Sequence, residues 1–283
     1  VPVRRAEPDE GRHQIDAVVC GLCRERAGLV GALDDAETVA VEHSLGFTTV
    51  VLKSHEGSTV ERAAIAGEGV YGGIVLNSAL GGANPDAVEV AARLGGRVVW
   101  MPTVSSRTHK VGASSPELSV HRGFELGPVD VIEDGNLRRE WYDVLDVIAA
   151  HDLLLASGHL SADETVILFR EARARGVQRL MVNHPMMAFL GWNAEAARIL
   201  ADLEARLELG ILPDLLGDAD HASLLLTGTF STSLLVFGGD LGHAHHAPPS
   251  EAVAPWLRAL EDCVGDEVAH RIMTTQTKEL LLP

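Results

Sequence analysis

The chain has 283 residues, of which 46% are hydrophobic and only 4% aromatic, and its formal net charge is −17. That charge repels a nucleic-acid backbone or an anionic membrane surface, so neither is expected as a partner and a small-molecule substrate is. Three cysteines, Cys20, Cys23 and Cys263, form an odd set without scaffold-like spacing and point to a reducing compartment, with the cytoplasm as the expected location. The polar opening VPVRRAEPDEGRHQ has no apolar targeting core, and no run reaches the roughly 18 apolar residues of a membrane helix.

After the lead-in over residues 1–14, Ile15 to Cys20 (IDAVVC) is short, apolar and β-rich, which predicts a strand; Asp34 to Gly46 predicts an acid-started helix closed by glycine. The same strand, loop, helix period recurs in FTTVVLK before TVERAAIAGEG, in GGIVLN before NPDAVEVAARLGG, and in RVVWMPT. Residues from about 105 to 136 break the period with polar, glycine-rich sequence, and VDVIEDGNLR at the end of this stretch predicts a hairpin turning on Asp134-Gly135. The alternation resumes with helix LRREWYDVLDVIAAH, strand LLLASGH, helix ADETVILFREARARG, strand RLMVNHP, helix NAEAARILADLEA, strand LELGIL, helix DADHASLLLTG and strand STSLLVFGGD. SEAVAPWLRALEDCVG and DEVAHRIMTTQTKELLL supply closing helices. Eight strands alternating with helices predict a parallel sheet with right-handed crossovers. At this length the expectation is an α/β fold, a (β/α)8 TIM barrel with a small hairpin insertion after strand 4, forming one domain over residues 1–283. A homo-oligomer of such a barrel is an open expectation.

Side chains at the C-terminal ends of barrel strands face a common mouth, where this architecture does its chemistry. The mouth is expected to collect Lys53 and His55 from strand 2, Asn77 from strand 3, Thr103 from strand 4, His159 from strand 5, His184 from strand 6 and Asp240 from strand 8. Lys53 and His55, two residues apart, are expected on one side of their strand. Three histidines, an aspartate and a lysine in one cavity suit a divalent metal, zinc first and manganese or iron as alternatives, which would activate water. A buried lysine can lose its proton by desolvation or become a carbamate ligand. Each residue also has a plainer reading: a histidine capping a loop, Asp240 capping a helix, Lys53 in a buried ion pair. Polar groups at the same end of several strands favour a shared pocket, with Lys53, His55 and Asp240 as its catalytic candidates and Asn77 and Thr103 as substrate contacts. Trp100, Met186, Met187 and Trp192 are expected to pack rather than recognise.

The motifs VVLKSHEGST with RAA, GGIVLN followed by GGANPDAVEVA, VVWMPT, GHLSADE, NHP and GGDLG, in order from strand 2 to strand 8, resemble the amidohydrolase superfamily of metal-dependent hydrolases, and within it a little-characterised bacterial branch. The resemblance implies that His159 and His184 match metal-ligand histidines after strands 5 and 6. It also implies that Asp240 matches the strand-8 aspartate, which binds metal and takes a proton from the attacking water. Lys53 and His55 match the branch's strand-2 pair, although strand 2 is not the usual place for a bridging lysine. Where the superfamily carries His-x-His on strand 1, this chain has Val18 and Cys20. Valine cannot bind a metal, whereas a thiolate at Cys20, with Cys23 nearby, can replace one imidazole. His243, His245 and His246 follow Asp240 and either rebuild part of a site, His243 against the substrate, or form an exposed loop.

Two functional readings follow. The first is a hydrolase of an amide, lactone or related bond, with a single metal held by His159, His184, Asp240, Lys53 and Cys20 and with Asp240 as general base. The second is a barrel with no metal that binds a small ligand or performs lyase- or isomerase-type acid-base chemistry with its histidines and Asp240.

Overall fold

The computed structural model describes residues 15–20, 35–112, 126–217, 230–240 and 247–282, with the backbone alone for Ile15–Cys20. The short apolar runs form parallel strands: β1 (Ile15–Cys20), β2 (Phe47–Val51), β3 in two pieces (Val70–Tyr71 and Gly73–Val75), β4 (Val98–Trp100), β5 (Leu154–Ala156), β6 (Arg179–Val182), β7 (Arg206–Gly210) and β8 (Leu235–Gly238). β1 pairs with β2, which pairs with the first piece of β3. The second piece of β3 pairs with β4, and each later strand with its successor up to β7 with β8. β1 and β8 lie side by side, and the architecture is the expected (β/α)8 TIM barrel.

At the β8 seam a side chain supplies what a ladder would. The backbone N–H of Phe237 donates to Thr277 Oγ1 at 2.9 Å, and Gln276 Nε2 donates to the carbonyls of Thr232 and Leu235 at 2.9 and 2.6 Å. Both residues belong to the C-terminal segment expected as one helix. It is instead two short helices, Asp266–Arg271 and Thr277–Leu281, joined by a π-helical turn over Ile272–Gln276. The wide turn lets the Thr277 hydroxyl reach the Ile272 carbonyl at 2.7 Å as well as β8.

Strand alternation separates two apolar layers. Val51, Val75, Trp100, Ala156, Met181 and Val236 fill the barrel interior, with Leu280 and Leu281 of the last helix packed among them. Val99, Leu155, Leu180, Val182, Leu207, Leu209 and Leu235 point the other way, into the layer between barrel and helices. Trp100 is fully buried, as the packing expectation required, and its ring lies where a Cβ on Gly73 would meet it at 2.5 Å.

Helix starts follow capping rules. Ser161 Oγ accepts from Glu164 N–H at 3.2 Å while Ser161 N–H donates back to the Glu164 carboxylate at 2.8 Å, a capping box that starts the helix Ala162–Ala174. Asn84 and Asn193 cap Pro85–Arg93 and Ala194–Asp202 in the same way through their side-chain oxygens. The expected hairpin is present, Ile132–Glu133 against Asn136–Leu137, and Asp134 and Gly135 have φ of 49° and 75°, both in the left-handed region that a tight two-residue turn of this kind requires.

Three boundaries differ from expectation. Strand 7 stops at Gly210, and Ile211–Leu216 is helix, its apolar start having read as more strand. Leu137 closes the hairpin with its side chain buried, so the next helix begins at Glu140. Arg107–Gly112, expected as irregular, is a short helix. The expected helix DADHASLLLTG lies outside the described residues, and so does the sequence around His243, His245 and His246. Among the described residues no helix is long and apolar enough to cross a membrane.

Candidate active site

Every described site residue lies just past its strand: Lys53 and His55 after β2, Asn77 after β3, Thr103 after β4, His159 after β5, His184 after β6 and Asp240 after β8. Apart from Asp240 all are buried, and they meet at one end of the barrel. The turn before His159 depends on Gly158, with φ of 60° and a missing Cβ that would sit 2.2 Å from the Met101 carbonyl oxygen. Only glycine fits there, so the Gly-His pair is a turn that drops the imidazole into the mouth. His184 and Asp240 take left-handed backbone themselves, at φ of 42° and 45°. Such backbone costs a non-glycine residue about 1–3 kcal/mol and is characteristic of residues held in place by a functional site.

The residues divide into three linked groups. In the first, Asn77 Nδ2 donates to the His55 carbonyl at 2.9 Å and to Thr103 Oγ1 at 2.8 Å, while Asn77 Oδ1 accepts from the N–H groups of Thr103 and Ser105 at 2.8 and 3.1 Å. Both amide hydrogens and both oxygen lone pairs of Asn77 are thus engaged within the protein, and Asn77 braces three strand ends. Thr103 Oγ1 in turn lies 2.6 Å from His55 Nδ1 and fixes that ring.

The second group is a chain of buried charges. Glu208 Oε2 lies 2.9 Å from His184 Nδ1, His184 Nε2 lies 3.2 Å from Asp240 Oδ2, and Asp240 Oδ1 lies 3.6 Å from Lys53 Nζ. Neither imidazole nitrogen makes a well-aligned hydrogen bond, so the attraction along this chain is mainly Coulombic. Burial pulls the His184 pKa down, but Glu208 and Asp240 outweigh it and the net shift is upward. Burial pushes Glu208 up, but His184 and the 3.0 Å hydrogen bond from Asn183 Nδ2 outweigh it and hold the carboxyl below its ordinary value. The Glu208 side chain also occupies the space where a Cβ on Gly238 would lie, 2.1 Å from Oε1. Of the four members only Asp240, 18% exposed, reaches solvent appreciably, against 2% for Lys53, 2% for His184 and 1% for Glu208.

The third group is made of rings. His159 lies with its ring centroid 5.9 Å from His55, 6.0 Å from His184 and 4.8 Å from His109. Burial first, then electrostatic repulsion involving His109, Lys53, His55 and His184, holds His159 well below the ordinary imidazole value, so it is neutral.

The structure therefore brings together Lys53, His55, Asn77, Thr103, His159, His184 and Asp240 and adds Glu208 and His109. Of the remaining expected site residues, Cys20 has its backbone in β1 opposite Val51, with its side chain outside the described atoms, and His243 lies outside the described residues. Glu208 carries a sequence signal of its own. A strand of a parallel barrel has no solvent face, so a glutamate between Leu207 and Leu209 must point inward and needs a partner. His109 carried none, since Arg107–Gly112 is too short for a periodic pattern.

The donor arrangement bears on the expected metal. Among the described residues no group of three or more His, Cys, Asp and Glu side chains is placed to hold a metal ion. Both His184 nitrogens face carboxylates, Asp240 is shared between His184 and Lys53, and His159 Nδ1 lies against His109. As arranged, these residues do not fit a divalent cation.

Residues 29–208 match the model of a family of unknown function, DUF6282. The chain is a member of that family. No curated protein matches this DUF6282 member in sequence. Its fold is shared with several solved structures. A probable 2-pyrone-4,6-dicarboxylic acid hydrolase from Acinetobacter baumannii, with citric acid bound, superposes with a TM-score of 0.64 at 11% identity, over 94% of this chain and 99% of the other. An amidohydrolase from Pseudomonas aeruginosa gives 0.61 at 13% identity over 95% and 96%, and a 2,6-dihydroxybenzoate decarboxylase from Rhizobium gives 0.56 at 11% over 94% and 98%. At these identities the likeness is one of fold, an amidohydrolase-type barrel.

Proposed function

We propose that this DUF6282 member is an enzyme of amidohydrolase type that opens an amide, lactone or related carbonyl-centred bond of a small molecule at the barrel mouth. The observation that carries this reading is the charge chain Glu208, His184, Asp240, Lys53, which leaves a single carboxylate, Asp240, open toward the mouth. Two carboxylates so close together, one of them buried, repel, and a protonated His184 between them with a lysine beyond offsets that repulsion. The chain is thus charge-balanced by its own side chains.

Asp240 then accepts a proton from the attacking water, while Lys53 beside it stabilises the negative charge that develops on the carbonyl oxygen and His184, between Glu208 and Asp240, holds that carboxylate in place. His55, fixed by Thr103, and the neutral His159 flank the reacting bond and exchange protons with the leaving group. A mouth lined by a lysine and several imidazoles favours a substrate carrying carboxylates. The probable 2-pyrone-4,6-dicarboxylic acid hydrolase of matching fold has citric acid bound, which supports the same substrate class.

The test is a panel of lactones and amides bearing carboxylates, 2-pyrone-4,6-dicarboxylate among them, offered to chelator-treated protein and followed by proton release. Turnover that survives chelation and disappears in Asp240→Asn supports the reading. Turnover that returns only with added zinc, manganese or iron restores the single-metal mechanism, and turnover that persists in Asp240→Asn removes Asp240 as the base. The decarboxylase of the same fold favours a second reading as a lyase, for which carbon dioxide release replaces proton release in the assay.

A further inference from the structure

His109 stands outside the strand-end motifs of the mouth, on the short helix Arg107–Gly112 that follows β4. Its Nδ1 lies 2.9 Å from Nδ1 of His159, and the two rings are nearly parallel, 24° apart. The backbones beneath them are joined as well. Ser106 Oγ donates to the His159 carbonyl at 2.8 Å and accepts the His109 N–H at 3.0 Å. The His159 N–H donates to the Pro102 carbonyl at 3.0 Å. Thr108 Oγ1 reaches Glu164, the capping residue of the helix after His159, at 2.7 Å. Phe189 stands edge-on to both rings, with centroids 5.4 Å from His109 and 5.7 Å from His159. The short helix is therefore tied at several points to the loop that carries His159, and its one buried side chain is His109.

Two imidazole nitrogens 2.9 Å apart bond only if one carries hydrogen and the other a lone pair, so the contact couples the tautomers of the two rings. We infer that His109 is a positioning residue: its Nδ1 holds His159 in one tautomer and one ring plane, leaving Nε2 of His159 as the nitrogen offered to the substrate. Whether His159 presents a lone pair or an N–H at Nε2 follows from which ring donates, so His109 sets whether His159 serves as a base or as a hydrogen-bond donor. The value of such fixing is that a ring free to flip or to exchange its hydrogen spends part of its time with the wrong group toward the substrate.

This inference rests on the reading of the mouth as an active site, but its test needs no substrate. Protein labelled with nitrogen-15 in its histidine rings is recorded by long-range proton–nitrogen correlation, with the His159 signals assigned by their loss in His159→Asn. The parent should give the pattern of one neutral tautomer for His159. In His109→Phe, which keeps a ring against His159 but has no nitrogen, the two ring nitrogens of His159 should move toward the averaged shifts of exchanging tautomers, while the exposed His43 and His151 keep theirs. An averaged His159 pattern in the parent overturns the inference, and so does an unchanged single-tautomer pattern in His109→Phe. If His109→Phe does not fold, the parent spectrum still decides, and His109→Gln, which keeps a side chain able to hydrogen-bond Nδ1, should preserve the single tautomer. With a substrate in hand, His109→Phe should lower kcat by about tenfold or more with KM little changed, whereas a packing role alone would leave kcat as it is.

Discussion

Glu42, far from the mouth on the helix Asp35–Ser44, gives a prediction whose size can be worked out. Its side chain is 1% exposed, neither carboxyl oxygen has a hydrogen-bond partner, and Thr38 Oγ1, one turn earlier, is buried and unpartnered too. Burial pushes the Glu42 pKa up from 4.5 to about 8. A carboxyl with a raised pKa in the folded state binds its proton more tightly there, so stability is full below the unfolded value of 4.5 and falls as pH rises toward 8. At about 1.4 kcal/mol per pH unit, ionisation held off over the two and a half units to pH 7 costs about 3 kcal/mol, and the loss levels off near 5 kcal/mol above pH 8. Glu42→Gln keeps the shape and removes the ionisation. Its melting temperature should exceed the parent's by roughly 6–12 °C at pH 7, by more at pH 8.5, and by almost nothing at pH 4.5. Matched calorimetric scans across that range measure it. A difference that does not change with pH would mean that Glu42 is not held neutral by burial, and the reasoning would fail.

At the candidate active site, Gly158→Ala should cost about 3 kcal/mol or more, because its Cβ meets the Met101 carbonyl at 2.2 Å in a backbone already at positive φ; urea unfolding reads this. Gly238→Ala drives a Cβ into Glu208 Oε1 and should displace that carboxylate from His184, abolishing turnover with any substrate the panel identifies while leaving the circular dichroism spectrum close to the parent's. Glu208→Gln removes one partner of a buried pair and should cost about 3–5 kcal/mol at pH 6. The lowered Glu208 pKa gives stability that is lost as pH falls below 4.5, and the raised His184 pKa gives stability that is lost as pH rises above 6.5. The penalty of Glu208→Gln should therefore shrink at both ends of a pH series, and a penalty constant from pH 4 to 9 would refute the pairing.

Much of this was legible in the sequence, for identifiable reasons. Short apolar runs separated by capped helices have one economical packing at this length, and the strand-end residues Lys53, His55, Asn77, Thr103, His159, His184 and Asp240 came together because each follows its run by only a few positions. The roles within the cluster were less legible. Nothing in GGIVLN says that Asn77 has all its hydrogen-bonding groups engaged inside the protein, since its partners, His55, Thr103 and Ser105, come from two other loops. The π turn in IMTTQ could not be read either, because it depends on a strand edge that takes the Thr277 hydroxyl as its partner.

Glu208 shows where a stricter reading would have gone further. LELG alternates, and alternation in isolation suggests a strand with one wet face, which makes the glutamate unremarkable. The eight-fold period had already excluded a wet face, since strands of a parallel barrel are covered by helices outside and by one another's side chains inside. A carboxylate in that setting must find a cation or several donors, and the candidates near the mouth were His184, one strand earlier, and Lys53. The glycine at 238, two residues before Asp240 on the neighbouring strand, completes the inference, because a glycine beside a buried carboxylate marks the place where that carboxylate fits. The same deduction bears on the proposed mechanism: with Glu208 present, His184 has a carboxylate on each nitrogen, and the proposal of a reaction without a metal cation rests on that arrangement.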